Sequence, residues 1–383
     1  MRRGWSCRRG QEAAAVFLFG KSGDGTCGAC QTEKIWYNGR RIMPRRCAAK
    51  GDAMRIFVAG AGAWGTALAM LLDENGHAVT LWTRNAEKAR EIDVTRQNPA
   101  LAGVTLPAGI RVTAELAEVE DAELVLYAVP SFALRETAQA IAPHLPSEAV
   151  LVSATKGIER STNARMTEII AEYAGTGRPI VALSGPTHAE EVSRRMATGC
   201  VLSSRDLEAA KRVRASFMND VFRIYINDDM VGVELCGAFK NVVALGAGIL
   251  RGMGAGDNLR AMYLTRSISE ISSLSILLGG RRETCFGLAG VGDLIVTCFS
   301  EHSRNQRAGL YIGQGETVEE ALRHVGAAVE GYYAADSIEH LARELRIDMP
   351  ICSAIYRVLY KGHSAAKEIA PLMRRAGFSE FRQ

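Results

Sequence analysis

The architecture of this 383-residue chain can be inferred from the segment Ile56-Phe57-Val58-Ala59-Gly60-Ala61-Gly62-Ala63-Trp64-Gly65-Thr66-Ala67. The segment begins with an apolar β-like run. Glycines with the spacing G-x-G-x-x-G follow, and a helical pattern then starts. Gly60 permits a tight turn, Gly62 lets the backbone approach a pyrophosphate, and Gly65 allows close helix packing. The free N–H groups of the helix start bind phosphate oxygens. The segment therefore predicts a dinucleotide site rather than an ordinary glycine turn.

Short apolar runs alternate with helical patterns from Met54 onward. The β-like runs are Arg55–Ala59, Ala78–Trp82, 123–129 and 149–154, extended by 179–183, 200–203 and 221–226. This alternation is typical of βαβ units on a parallel sheet. After Val231 the patterns are helical, over 235–250, 258–278, 317–325, 332–344 and 351–360. We predict an α/β Rossmann-type doubly wound domain over 54–232 and an all-α substrate-binding domain over 233–383.

Residues 1–53 form a leader that lacks a strand or helix pattern. It carries 11 Lys/Arg against 4 Asp/Glu, whereas residues 54–383 carry 35 against 38. Met54 opens directly into the first β-like run, so we interpret the leader as upstream sequence outside the fold. A transit peptide is the alternative, although the four acidic residues disfavour it.

Composition excludes several classes of function. With 48% hydrophobic and 23% charged residues the chain is typical of globular proteins. Without the leader there is no basic surplus for nucleic acid or a membrane surface. The apolar run 235–250 is too short for a membrane span and predicts a buried helix. A small-molecule partner is the remaining expectation.

The nine cysteines do not suggest a disulfide framework, because they are odd in number and scattered. Cys27 and Cys30 have the CxxC spacing of a zinc or redox site. No second CxxC or His pair follows them, and we predict no metal site.

Two lysines and an aspartate are candidates for chemistry. Lys156 follows the run 149–154, at the sheet edge where doubly wound folds bind ligands, unless it is merely solvated. Lys240 is the only charge in 235–250, so it must reach solvent, pair or act as a base with a lowered pKa. Asp293 follows two glycines, and its alternative role is a helix N-cap.

Arginines suggest contacts to phosphate. Arg84 stands after the second β-like run, where a carboxylate usually binds the adenosine ribose, and it suggests tolerance of a 2′-phosphate. A solvated surface arginine is the alternative. The cluster Ser303-Arg304-Asn305-Gln306-Arg307 suits an anion, although an exposed polar loop explains it nearly as well.

Over residues 54–383 the chain resembles bacterial-type NAD(P)-dependent glycerol-3-phosphate dehydrogenases. The resemblance rests on eight motifs in the family's order: Gly60-Ala-Gly-Ala-Trp-Gly65, Ala128-Val-Pro-Ser131, Ser153-Ala-Thr-Lys-Gly157, Leu183-Ser-Gly-Pro-Thr187, Gly237-Ala-Phe-Lys-Asn241, Gly290-Val-Gly-Asp293, Ser303-Arg-Asn305 and Val329-Glu-Gly331.

The resemblance implies roles for individual residues. Lys240 is the expected proton acceptor, with Lys156 and Asp293 beside it as catalytic residues. The implied substrate contacts are Lys156, Gly185, Thr187, Lys240, Asp293, Ser303, Arg304 and Asn305. The implied dinucleotide contacts are Gly60, Gly62, Ala63, Trp64, Gly65, Arg84, Lys156, Ala189, Arg304, Ala328 and Glu330.

The chain departs from the family pattern at three places. Ala63 replaces a frequent serine, His188 replaces an aromatic residue, and Ala261-Met262-Tyr263 replaces a run of small residues. We expect these changes to affect cofactor affinity and rate rather than the type of reaction.

The resemblance implies a cytoplasmic, homodimeric oxidoreductase that uses NADP or NAD. It would interconvert sn-glycerol 3-phosphate and dihydroxyacetone phosphate and supply phospholipid synthesis. Two alternatives remain. A β-hydroxyacid dehydrogenase shares the Rossmann domain, helical domain and lysine but takes a carboxylate substrate, and a dinucleotide-binding regulator would bind cofactor without turnover.

Overall fold

The computed structural model describes residues 34–37, 40–44, 53–175 and 177–374. The described residues belong to two units, which divide between residues 49 and 50. In the first unit, strands β1 (Lys34–Tyr37) and β2 (Arg40–Pro44) form an antiparallel pair, which the sequence pattern did not predict. The Cys27/Cys30 motif lies outside the described residues.

The described strands alternate with helices as far as residue 227. The strands are β1 (Lys34–Tyr37), β2 (Arg40–Pro44), β3 (Arg55–Ala59), β4 (Ala78–Trp82), β5 (Arg111–Thr113), β6 (Leu124–Tyr127), β7 (Val150–Ser153), β8 (Ile180–Ser184), β9 (Thr198–Ser203) and β10 (Phe222–Asn227). The helices of this region are α1 (Ala63–Glu74), α2 (Ala86–Thr95), α3 (Leu134–Ile141), α4 (Met166–Ala174), α5 (Ala189–Ser193) and α6 (Leu207–Phe217).

Helices alone follow residue 227 in the described chain. They are α7 (Met230–Gly252), α8 (Asp257–Leu277), α9 (Arg282–Cys285), α10 (Asp293–Phe299), α11 (Arg304–Gly313), α12 (Val318–Val325), α13 (Glu330–Glu344), α14 (Pro350–Lys361) and α15 (Ala365–Arg374). A π-helical turn, Leu288–Gly292, precedes α10. The predicted fold class, a doubly wound α/β region followed by helices, is confirmed.

The sheet of the second unit has eight strands in the order β5-β4-β3-β6-β7-β8-β9-β10. Strands β3 to β8 are mutually parallel, so their carboxyl ends share one edge. Strand β9 is antiparallel to β8, and β10 is parallel to β9. The expectation of parallel strands therefore holds for β3 to β8 and is wrong at β9, where the chain reverses direction.

Strand β3 is buried on both faces, as a central parallel strand requires. Ile56 and Val58 pack in the same core as Leu68 and Leu72 of α1. Phe57 and its alternate neighbour Ala59 face the opposite core, which contains residues of α3 and α4. The alternation of strand side chains thus places helices on both faces of the sheet.

Helix α7 is the centre of the helical region. Nineteen of its residues, from Gly232 to Leu250, are buried, and its apolar side chains form a core with those of α8, α13 and α14. By length and composition it is the one straight helix in the described chain that could cross a membrane, but 94% of its most apolar window is buried inside the protein. The helix begins at Met230, three residues before the predicted domain boundary.

Two further short helices begin at residues that the sequence singled out for chemistry. Asp293 opens α10, and Arg304 opens α11. The exposed-loop alternative for residues 303–307 is therefore wrong, because Asn305 and Gln306 are buried on α11. Short polar helices of this kind lack the long apolar periodicity that marks a helix in sequence.

We expect Gly65→Ala to lower the free energy of unfolding by about 1–3 kcal/mol through overpacking. A Cβ atom on Gly65 would lie 1.9 Å from the carbonyl oxygen of Gly60, on the backbone of the preceding loop. Gly62→Ala is the matched control, because no atom lies within 4 Å of a Cβ placed there. Urea denaturation of both variants tests this prediction. Equal stability of the two would contradict the close packing of α1 against the loop.

Candidate active site

The glycine loop between β3 and α1 has the geometry of a phosphate-binding turn. Gly60 has a φ of +119°, which other residues rarely adopt, and Gly62 is the N-cap of α1 without a side-chain cap. The first N–H groups of α1 are therefore available to an anion. Gly62 is exposed and the space around it is open, so a ligand can reach the backbone there.

Polar groups behind the loop hold its backbone. The carbonyl oxygen of Ala61 accepts hydrogen bonds from Lys88 Nζ at 2.9 Å and from Asn98 Nδ2 at 3.2 Å. The indole Nε1 of Trp64 is buried and has no hydrogen-bond partner within the described part of the chain. A buried donor without a partner beside an open glycine loop fits a site that is completed by a ligand. The residues present therefore fit a dinucleotide.

Arg84 lies after the end of β4. Its side chain is 70% exposed and pairs with Glu136, which is 75% exposed, at 3.2 Å. Exposed pairs of this kind contribute little to stability, so the guanidinium can exchange Glu136 for another anion. Ala63, the first residue of α1, offers only its backbone N–H.

A carboxylate between two ammonium groups forms the centre of the site. Asp293 Oδ1 lies 2.5 Å from Lys240 Nζ, and Asp293 Oδ2 lies 2.7 Å from Lys156 Nζ. The Asp293 side chain is 1% exposed, and those of Lys240 and Lys156 are 11% and 15% exposed. The sequence left two alternatives open, an N-cap role for Asp293 and a solvated Lys156. This buried arrangement fits neither of them. The structure brings together all three residues that the sequence indicated for chemistry.

Burial and charge shift the proton affinities of this centre. Burial lowers the pKa of Lys240 to about 8; Asp293 opposes the shift, while nearby Lys156 adds to it. Burial acts to raise the pKa of Asp293, but Lys156 and Lys240 outweigh it and hold that pKa below its usual range. Lys240 can therefore gain or lose a proton near neutral pH while Asp293 stays ionised.

Thr297 is a member of the centre that the sequence analysis missed. It lies one helical turn after Asp293 on α10, and its hydroxyl accepts a hydrogen bond from Lys240 Nζ at 3.0 Å. The same hydroxyl donates to the carbonyl oxygen of Asp293 at 2.6 Å. Its spacing of four residues from Asp293 is the signal that could have indicated it.

The carboxyl ends of β7 and β8 supply the sheet side of the centre. Lys156 follows β7, and its ammonium group also donates to the carbonyl oxygen of Gly185 at 3.1 Å, just after β8. Gly185 has a φ of +135°, which turns its carbonyl toward Lys156, and it also accepts from Thr187 Oγ1 at 3.0 Å. Gly185 therefore contacts the lysine directly, and Thr187 is linked to it through the Gly185 carbonyl.

The predicted anion cluster at the start of α11 divides into different environments. Ser303 is the N-cap, accepting from the backbone N–H of Gln306. Asn305 is buried; its Oδ1 accepts from Gly331 N at 2.8 Å and its Nδ2 donates to Asn241 Oδ1 at 3.0 Å. Arg304 is exposed, and its positive charge acts on the carboxylate of Glu330 without a close ion pair among the described residues. Asn241, adjacent to Lys240, was not among the sequence candidates.

Glu330 joins the start of α13 to Ser131 in the segment that follows β6. Its carboxylate accepts from Ser131 Oγ at 2.5 Å and from Ser131 N at 3.3 Å, and burial raises its pKa. Ala328 is half-buried just before α13, and Ala189 is buried at the first position of α5. The structure describes no direct contact between these three residues and the lysine–aspartate centre.

His188 lies beside Thr187 and faces His302 at 6.0 Å between ring centroids. Its Nε2 is 3.4 Å from the carbonyl oxygen of Val296. Burial lowers the pKa of His188, which favours the neutral ring. A planar neutral ring can occupy the position of the family's aromatic residue without adding charge.

Comparison with known proteins agrees with this geometry. The family models described as NAD-dependent glycerol-3-phosphate dehydrogenase N-terminus and C-terminus match residues 55–210 and 229–370. The chain belongs to this family. A glycerol-3-phosphate dehydrogenase [NAD(P)+] of Pelotomaculum thermopropionicum is 47% identical over 333 residues, 86% of this chain and 95% of the relative. The Thermoanaerobacter enzyme of the same name is 46% identical over 84% of this chain and 97% of its own.

A solved structure of the family supports the fold. The crystal structure of glycerol-3-phosphate dehydrogenase from Coxiella burnetii superposes with a TM-score of 0.82 at 34% identity, covering 84% of this chain and 99% of its own. The resemblance inferred from the eight motifs is therefore confirmed. A nicotinamide dinucleotide as cofactor is also supported by the family, and the glycine loop fits it.

We expect Arg84→Asp to weaken NADPH binding about tenfold more than NADH binding. A charge-assisted hydrogen bond contributes about 1.5–3 kcal/mol of binding free energy. The low end of this range applies, because Arg84 is exposed and solvent screens its contacts. Fluorescence titration of both dinucleotides measures the difference. Glu136→Gln is the control, since it removes the partner of Arg84 without removing the guanidinium. Equal loss for both cofactors in Arg84→Asp would make Arg84 a solvated surface residue.

Proposed function

We propose that the protein interconverts sn-glycerol 3-phosphate and dihydroxyacetone phosphate with NADP or NAD. The observation that carries the proposal is the buried Asp293 between Lys156 and Lys240, on a fold with an open dinucleotide loop. When bound, the nicotinamide supplies or accepts the hydride. The chain itself must then bind the substrate and move one proton.

Lys240 is the proposed proton carrier. In the oxidising direction its neutral amine takes the proton of the substrate hydroxyl, and in the reducing direction its ammonium group donates a proton to the developing alkoxide. A pKa of about 8 makes both forms accessible near neutral pH. An arginine in this position would retain its proton too strongly to serve as a base.

Asp293 and Thr297 orient the amine of Lys240. The carboxylate and the hydroxyl contact Nζ from α10, which restricts its direction. Lys156 balances the charge of Asp293 and places a second donor at the sheet edge. We propose that Lys156, Gly185 and Thr187 surround the reacting end of the substrate.

The phosphate of the substrate requires a separate cation. Arg304 is exposed and has no described ion-pair partner, and it begins α11, whose first N–H groups favour an anion. We propose that Arg304 binds phosphate with Ser303 and Asn305, while Glu330, Ala328 and Ala189 face the dinucleotide. Buried Asn305 also fixes α11 against α7 and α13 through its two hydrogen bonds.

The two alternatives predict different substrates. A β-hydroxyacid dehydrogenase would oxidise a short hydroxy acid, whereas a regulator would bind dinucleotide and oxidise nothing. Family membership and the buried lysine–aspartate centre favour the polyol phosphate. A panel of dihydroxyacetone phosphate and short keto acids, assayed by nicotinamide absorbance with NADH and NADPH, tests all three.

The remaining expectations belong to the same proposal. A homodimer, a cytoplasmic location and a role in supplying phospholipid synthesis follow from the family expectation alone. NADPH is accepted at least as well as NADH if Arg84 meets the 2′-phosphate. The domains are the leader over 1–53, a dinucleotide-binding domain over 54–232 and a substrate domain over 233–383.

Lys240→Met should lower turnover by about 10²–10⁴-fold, the usual contribution of a positioned acid or base. The variant keeps the apolar stem that packs in α7 and removes only the amine. Steady-state kinetics with dihydroxyacetone phosphate measure the loss. The controls are a melting curve and an NADPH titration, both of which should be nearly unchanged. Near-normal turnover in the folded variant would exclude Lys240 as the proton carrier.

The pH dependence should report Lys240. For glycerol 3-phosphate oxidation, kcat/KM should rise as pH increases through about 8, because the neutral amine is the active form. For reduction, kcat/KM should fall through the same range. Asp293→Asn removes the charge that raises the pKa of Lys240, so the midpoint should move to lower pH. An unmoved midpoint would show that another group titrates.

Deletion of residues 1–53 should leave the melting temperature and turnover unchanged. The family model of the N-terminal domain begins at residue 55, and the curated relatives match 84–86% of the chain. Differential scanning calorimetry and the standard assay compare the truncated and full chains. A lower melting temperature of the truncated protein would show that the leader supports the fold.

A further inference from the structure

Two thiols lie side by side next to the proton carrier. Cys236 on α7 and Cys285 at the end of α9 are 49 residues apart in sequence, yet their sulfur atoms are separated by 3.5 Å. Cys236 precedes Lys240 by one helical turn, so both side chains share a face of α7. Cys236, Cys285 and Lys240 line one small cavity together with Gly290. The thiol pair therefore adjoins the lysine–aspartate centre.

The surroundings of Cys285 favour a reactive sulfur. The S–H of Cys236 lies in hydrogen-bonding position, and this contact lowers the pKa of Cys285 against the opposing effect of burial. The side chains of Ser272 and Ser275 on α8 are buried nearby. Both hydroxyls add to the lowering of the Cys285 pKa. Because the thiolate is the nucleophile in thiol chemistry, these neighbours activate Cys285.

The other described cysteines have different environments. Cys200, Cys298 and Cys352 are buried, and burial raises the pKa of each thiol. No second sulfur is described beside any of them. They are typical of inert structural cysteines.

Cys285 is coupled by packing to the segment that carries Asp293. A Cβ atom on Gly290 would lie only 1.9 Å from the carbonyl oxygen of Cys285, so the two backbones are in direct contact. Gly290 belongs to the π-helical turn Leu288–Gly292, and Asp293 follows immediately. A displacement of Cys285 would therefore be transmitted to the carboxylate that orients Lys240.

We propose that Cys236 and Cys285 form a redox-active dithiol that closes to a disulfide and thereby lowers turnover. The oxidant is a low-molecular-weight disulfide. The Cys285 thiolate attacks it, forming a mixed disulfide and releasing one thiol. The Cys236 sulfur then attacks the Cys285 sulfur, and the second thiol leaves with the remaining proton. Two protein thiols are oxidised by two electrons while one small disulfide is reduced to two thiols.

The geometry allows both access and closure. Cys285 is buried, but it ends a four-residue helix whose neighbour Phe286 is 59% exposed. Local opening of such a short surface helix costs less than global unfolding. The sulfur atoms must approach from 3.5 Å to about 2.05 Å, and the adjoining cavity gives space for the movement.

The effect on turnover rests on the proposed function, whereas formation of the disulfide does not. Closure restrains α7 one turn before Lys240 and displaces the segment before Asp293. Turnover should therefore fall by at least about tenfold. This loss is smaller than the roughly 10²–10⁴-fold rate enhancement that a positioned proton carrier contributes, because the lysine is displaced and not removed. Dinucleotide binding should remain, because the glycine loop between β3 and α1 contains neither cysteine.

The test treats the reduced full-length chain with oxidised glutathione and follows two readouts. Tryptic mass spectrometry should detect a cross-link between peptides 224–240 and 283–304, with fragmentation that assigns it to Cys285 rather than Cys298. Turnover should fall in proportion to the cross-link and return with dithiothreitol. A reduced chain without turnover would refute the proposed function, while the mass readout would still decide the disulfide.

Variants separate this pair from the other cysteines. Cys285→Ala should lose the sensitivity of turnover to glutathione disulfide, and the matched control Cys352→Ala should keep it. Cys236→Ala lacks the resolving thiol, so it should stop at the mixed disulfide, seen as a glutathione adduct on Cys285 without the cross-link. If either variant fails to fold, the location of the cross-link by mass spectrometry in the chain without substitutions still decides the proposal. Absence of the 236–285 cross-link, or a cross-link with unchanged turnover, would overturn the proposal. Inactivation that persists in Cys285→Ala would also overturn it.

Discussion

The structure depends on one buried carboxylate that pairs with two ammonium groups. Asp293 is almost fully buried, and it stays ionised because Lys156 and Lys240 approach its two oxygens. Removing one partner of a buried ion pair commonly costs about 3–5 kcal/mol. Each of the three side chains is carried by a different element, so the pairing requires the sheet edge, α7 and α10 to be in register. The centre is thus a constraint on packing as well as a chemical site.

The fold meets this requirement from two directions. Parallel strands bring the residues after β3, β7 and β8 to one edge of the sheet. Helix α7 carries Lys240 through the middle of the helical core, where burial brings its pKa close to neutrality. The π-helical turn before α10 places Asp293 between them. Irregular helical turns of this type are frequent at functional sites because they redirect a side chain without ending the helix.

Local sequence was sufficient wherever the signal is contiguous. The glycine loop, its strand and its helix span twenty residues, and the helix start at α7 was predicted within five residues. Predictions were wrong or incomplete where pairing or burial is set by distant partners. The reversal at β9 and the short helix α11 are examples, since neither has an apolar periodicity that differs from its alternatives.

By itself, the sequence determined that a dinucleotide loop opens an α/β region and that Lys240 is the only charge in the apolar run 235–250. Glycine spacing and apolar periodicity act between neighbours in the chain, so they can be read without coordinates. Only the tertiary structure decided that Asp293 meets Lys240 and Lys156, which are 53 and 137 residues away. It also decided that Thr297 completes the centre and that Cys236 meets Cys285. These contacts depend on the packing of separate elements, which no local pattern records.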